Sequence, residues 1–179
     1  MNRLPLAFSL ALLLGVSGAL PTVLPAADTA ATATPSVNQD DADFVHEALL
    51  GSQEAIKTSE LAGKRGLVGA ELTFAQAVAS EHGAMHSQLK TLAGSKQITI
   101  PAALDEAGQK RLDALGKEND KDFAETYLET QIKAHKRAVS TFQEASEDAK
   151  DADVKAFAIK HLAKLQAHLA QAKDLESKH

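Results

Sequence analysis

Residues 71–94, ELTFAQAVASEHGAMHSQLKTLAG, carry a regular apolar period. Placed at 100° per residue, their apolar side chains do not scatter. Phe74, Val78, His82, Met85, Leu89 and Leu92 fall on one stripe, with Ala75, Ala79, His86 and Ala93 to one side. That is the 3.6-residue period of an amphipathic helix of about 36 Å, long enough to run the length of a small domain. A histidine, His82, occupies the middle of the apolar stripe.

Working outward, the same period recurs three more times. Ahead of the stretch, Gly63, Gly66 and Gly69 around Lys64 and Arg65 mark a turn. Before that turn a first helix runs from about Asp40 to Gly63, with Asp40, Asp41 and Asp43 as capping and dipole-favoured acids. Its stripe is Phe44, Ala48, Ser52, Ala55, Ser59 and Ala62, most of them small. After the stretch the chain from Gly94 to Asn119 is a long connection. Pro101 blocks helix there, and Asp105 to Leu115 can form a short helix closed by Gly116. A third long helix capped by Asn119 or Asp120 reaches about Ala149, and a fourth capped by Asp151 or Asp153 reaches nearly to Lys178. Their stripes include Phe123, Tyr127, Gln131, His135 and Phe142, then Val154, Phe157, His161, Leu165 and His168. The expected fold is therefore all-α: an up-down four-helix bundle over residues 40–179, with a long crossover between helices two and three that contains a short helix.

Composition agrees with that reading and narrows the function. Apolar residues are 44% of the 179-residue chain and aromatics 4%, a balance suited to long helices rather than strands. The net charge is −5. Residues 1–27 contain one basic side chain, Arg3, and no acid, so setting them aside gives −6. An acidic chain lacks the basic face a nucleic-acid partner requires. Met1 and Arg3 precede a nearly unbroken apolar run, Leu4 to Leu20, and Pro25, Ala26 and Ala27 offer a cleavage point before Asp28. Residues 1–27 thus read as an export signal, with the bacterial periplasm as destination and no stable membrane span after cleavage. Residues 28–39, rich in Ala, Thr, Ser and Pro, read as a flexible leader. There is no cysteine. Disulfides and thiolate ligands are excluded, so any transition-metal site would have to use imidazole and carboxylate.

The histidines carry the functional signal. His82, His135, His161 and His168 all lie on apolar stripes, and His86 stands one turn after His82 at its edge. Each buried imidazole needs partners for two ring nitrogens, at about 1–3 kcal/mol for each group left unsatisfied. The stripes offer few partners: Gln131, Tyr127, Ser52 and Ser59. A metal ion would satisfy one nitrogen of every ligand at once. Counting residues from the end where helix one turns into helix two puts His82, His135 and His161 level, with His168 about two turns nearer that end. His82 and His135 form the firmest pair, and the helix-four partner stays open between His161 and His168. A di-iron oxidase bundle would want four inward glutamates and Glu-x-x-His motifs, which are missing. Only Glu71 and Glu81 lie near a stripe, and Glu54 falls on the far side of helix one. Glu81 and His82 are about 100° apart and cannot both face the centre. Zinc, copper or nickel therefore suits the donors better than iron.

These residues resemble the exported bacterial ferritin-like family known as domain of unknown function 4142, over about residues 42–172. The match rests on Phe44, Val45, Ala48 and Gly51 in helix one, Phe74, Ala75, Glu81, His82 and Leu89 in helix two, Pro101 and Leu104 in the link, Tyr127, Gln131, His135 and Phe142 in helix three, and Phe157, Leu165 and His168 in helix four. The resemblance implies a ferritin-like fold and a metal-capable interior, with His82, His135 and His168 on the family's recurrent histidines and His161 as an extra. It does not by itself imply an enzyme. The chain departs from the pattern at Ala55, where the family usually has glutamate, at His86, where it often has Asn, and at Ala163, where it often has Pro. The expected function is a periplasmic metal-binding bundle serving metal buffering, resistance or sensing. The alternatives are a metal-free structural or stress-related interaction protein of the envelope, then a ferroxidase-type enzyme. No catalytic residue is expected.

Overall fold

The computed structural model describes residues 37–179. The expected export signal and the expected leader up to residue 36 lie outside the described residues. Five helices follow in order: α1 (Gln39–Lys64), α2 (Gly69–Ser95), α3 (Glu106–Gly116), α4 (Phe123–Asp148) and α5 (Ala152–Glu176). Among the described residues there is no strand. The four long helices pair as α1 with α2, α4 with α5, α1 with α4 and α2 with α5, and α3 packs on α1 and α4.

Contacts at the two ends give the topology. At one end Arg65, after α1, donates to the carbonyls of Gly116 and Glu118 and to Asp120 ahead of α4. At the other, Lys96 after α2 binds Asp151 and Asp153 at the start of α5. There the carboxylate of Asp41 accepts from the amides of Lys150 and Asp151, tying the start of α1 to the α4–α5 turn. Hence α2 and α4 run the same way, and the crossover carrying α3 returns along the bundle. This is the ferritin-like arrangement.

The helix ends follow ordinary capping chemistry, with small departures from the sequence reading. Asn38, not an aspartate, caps α1 by accepting from the Asp41 amide. That frees Asp41 for its long-range bonds. Asp105 and Asp151 cap α3 and α5 as expected, whereas α4 begins at Phe123, later than expected, because Asn119 caps a preceding turn through the amides of Lys121 and Asp122. Gly94 does not end α2. The left-handed residue is Gln97, at φ 59°, and the Ile98 amide reaches back to the Ala93 carbonyl, which is Schellman-type closure.

Two apolar clusters fill the bundle. One holds Phe44, Leu49, Met85, Leu89, Phe142 and Phe157; the other holds Ala62, Phe74, Val78, Phe123, Tyr127 and Leu175. Along α2, α4 and α5, the residues between the two clusters include His82, His135 and His168.

Candidate metal centre

Each of three helices sends one histidine into that middle layer. His82 on α2, His135 on α4 and His168 on α5 are all buried. Their ring centroids lie 5.2 Å (His82 to His135), 5.6 Å (His82 to His168) and 5.3 Å (His135 to His168) apart. One ligand nitrogen from each ring lies within 4.8 Å of the others. Imidazole nitrogens on a tetrahedral ion at about 2.0–2.1 Å stand about 3.4 Å apart. The Nε2 atoms of His82 and His135 are 3.2 Å apart, so this pair already has the spacing.

Outer partners fix two of the rings. His135 Nδ1 lies 2.9 Å from the Gln131 carbonyl, which can only accept, so Nδ1 carries the proton and Nε2 the lone pair. His168 Nε2 stands 2.9 Å from Glu81 Oε2. The carboxylate is off the line of a hydrogen bond, since Oε2 finds no aligned donor, but it favours the proton on Nε2. His168 Nδ1 is then the lone-pair nitrogen, and it is buried without a partner, as is His82 Nδ1. A carbonyl behind one ring and a carboxylate behind another is the outer arrangement that orients histidine ligands toward a metal. The three rings could hold a metal ion, taken by Nε2 of His82 and His135 and by the unpartnered Nδ1 of His168, which such an ion would relieve.

Electrostatics keep the rings neutral. Burial pushes His82 well below the ordinary imidazole range, and repulsion from His135, His168 and His161 adds to it. Burial lowers His135 to about 4, against the opposing pull of the Gln131 carbonyl. His168 is also lowered by burial, although Glu81 acts in the other direction. Unprotonated imidazole is the form that binds metal.

The other two candidates stand elsewhere. His86 Nδ1 pairs with Ser52 Oγ of α1 at 2.8 Å, and His86 is not among the three histidines whose nitrogens converge. His161 is half-buried, lies against Phe157 at 4.4 Å between centroids and reaches Gln88 Oε1 at 3.3 Å. The register count that favoured His161 fails because the helices do not end level: α5 stops at Glu176, eight residues beyond His168, whereas His82 stands thirteen beyond Gly69.

Glu81 is the residue that the sequence reading undervalued. It does not face the centre alongside His82; it reaches His168 across the α2–α5 interface, where Lys164 also binds it at 3.1 Å. Nothing in a single-helix projection shows that contact, because it depends on the neighbouring helix. Glu54 is turned away from the cluster, as expected, yet it is buried: Arg111 of α3 grips both oxygens at 2.6 and 2.7 Å. A small polar belt accompanies the histidines, with Gln131 donating to Thr58 and Tyr127 paired with Ser59.

Comparison with known proteins bears on family and fold. Residues 26–175 match the family model described as "Domain of unknown function (DUF4142)". No curated protein matches. The solved structure of a DUF305 fragment from Deinococcus radiodurans is similar in fold, with a TM-score of 0.71 and 12% identity over 81% of this chain and 100% of that one. No described helix is long and apolar enough to cross a membrane.

Proposed function

The chain belongs to the family of domain of unknown function 4142, and from that premise we propose that it is a metal-binding bundle whose ligands are His82, His135 and His168. The observation that carries the reading is the meeting of three buried imidazoles, one from each of three helices, with ligand nitrogens within 4.8 Å. Isolated buried histidines find hydrogen-bond partners; these leave two ring nitrogens without any. The donor set is three nitrogens with one carboxylate behind them. It suits zinc, copper or nickel better than a di-iron centre, which needs several carboxylates projecting inward. His86 and His161, each paired outside the cluster, are not assigned as ligands. The role is metal buffering, resistance or sensing in the periplasm, supported on the last point by the export-type sequence of residues 1–27.

One observation favours the metal-free alternative, a structural or stress-related interaction protein of the envelope. His82 and His135 can bond directly, Nε2 to Nε2 at 3.2 Å, which satisfies two nitrogens without an ion. Metal analysis of the dialysed protein and melting with added zinc or copper separate the two. Metal-dependent stabilisation that disappears in His82→Ala plus His135→Ala supports the metal reading, because a ligand bound only by the native state must raise stability. Unchanged melting supports the alternative.

A further inference from the structure

The side of the histidine cluster that faces α1 is not filled. A cavity of about 160 Å³ lies there, bounded by α1, α2, α3 and α4. Its deep wall includes His82 and His135, both nearly inaccessible, while its lining also includes Arg111 and Arg137, whose side chains are 42% and 50% exposed. The cavity therefore runs from the cluster to the surface. Alanines at 48, 55 and 138 line it and leave the room. His168 and Glu81 do not line it; they stand on the α5 side. An ion held by three imidazoles keeps a fourth tetrahedral position, and here the open space beside the rings is this cavity.

Charge decides what fits. A divalent ion on three neutral imidazoles brings two positive charges into a buried layer, and Glu81 is already shared with Lys164. Arg111 is matched by Glu54 through two bonds. Arg137 shares the same carboxylate as a looser ion pair at 3.7 Å, too long for a hydrogen bond, so one negative charge serves two guanidiniums. The remaining acids of the lining are exposed and engaged, Glu47 with Thr141 and Asp105 with the Gly108 amide. With a divalent ion bound, its two charges and the two guanidiniums of the lining would face the three carboxylates Glu47, Glu54 and Asp105, which leaves the cavity one positive charge in excess.

We propose that this cavity is a subsite for a small carboxylate or similarly planar oxyanion, which ligates the bound metal at the deep end and meets the Arg137 guanidinium at the mouth. The volume matches one known to hold a benzene-sized guest, which limits the anion to about six heavy atoms. Guanidinium is the side chain whose fork fits such an anion. The inference rests on the metal reading, so its test begins from a loaded site.

The probe is the cobalt(II)-loaded full chain, titrated with acetate at constant ionic strength while its visible d–d bands are followed. The bands are expected to change saturably with acetate. Arg137→Gln should weaken the apparent acetate affinity about tenfold, as loss of one charge-assisted hydrogen bond does, and leave cobalt uptake unchanged. Ala138→Leu, which fills the cavity from α4, should abolish the acetate response while cobalt still binds. Cobalt bands that ignore acetate, or an acetate response equal in wild type and Arg137→Gln, would overturn the subsite and leave the metal reading standing. Failure to take up cobalt at all would overturn both.

Discussion

Lowering the pH of the chelated protein from 7.5 to 5 should remove about 2 kcal/mol of stability through His135 alone. The unfolded imidazole titrates near about 6.5, while burial holds His135 at about 4 in the folded chain. At pH 5 the unfolded chain has therefore taken up a proton that the folded chain still refuses. A depressed folded value means that the stabilisation is complete above the unfolded value. It declines as the pH falls below about 6.5 and levels off near about 4, where the total loss approaches about 3 kcal/mol. His82 and His168, lowered for the same reason, steepen the fall. Urea unfolding followed by circular dichroism at several pH values, with a chelator present, measures it. The same measurement on His135→Leu should give a shallower slope over the same interval. A profile flat between pH 7 and 5, or an equal fall in His135→Leu, would refute the claim that neutral imidazoles are buried here.

Other consequences follow from particular contacts. Asp41→Ala strands the amides of Lys150 and Asp151 and should cost about 3 kcal/mol in urea unfolding; a loss under about 1 kcal/mol would mean that water replaces the carboxylate. Arg111→Ala leaves buried Glu54 without its two close bonds and should cost about 2 kcal/mol, while Glu54→Gln with Arg111→Ala should recover part of it. Gln97→Gly relieves a left-handed backbone at φ 59° and should add about 1 kcal/mol; no gain in the melting temperature would contradict that assignment of strain.

How much of this was legible in the sequence depended on the range of the interaction. The apolar stripes of Phe74 to Leu92 and of Tyr127 to Phe142 gave the long helices, because helical periodicity is local. The link around Pro101 likewise gave the crossover. His82 and His135 could be paired because both lie near the middle of their helices. His168 could not be selected over His161 from residue counting, since the answer depends on where α5 stops relative to α2. Only the family resemblance favoured it. The contacts of Glu81 and Arg111 were beyond a projection of single helices: each acts on a partner in another element, His168 and Glu54. Asp41 reads as a helix-start acid from its position, and the sequence does not reveal that its carboxylate instead holds a turn more than a hundred residues away.

X-ray absorption at the metal edge of zinc- or copper-loaded protein reports the atoms bonded to the ion. Three imidazole ligands should give nitrogen neighbours at about 2.0 Å with the multiple-scattering signature of the ring, fitted by about three rings and reduced in His168→Ala. A shell of oxygen atoms with no imidazole signature, or a spectrum unchanged in His168→Ala, would contradict that ligand set.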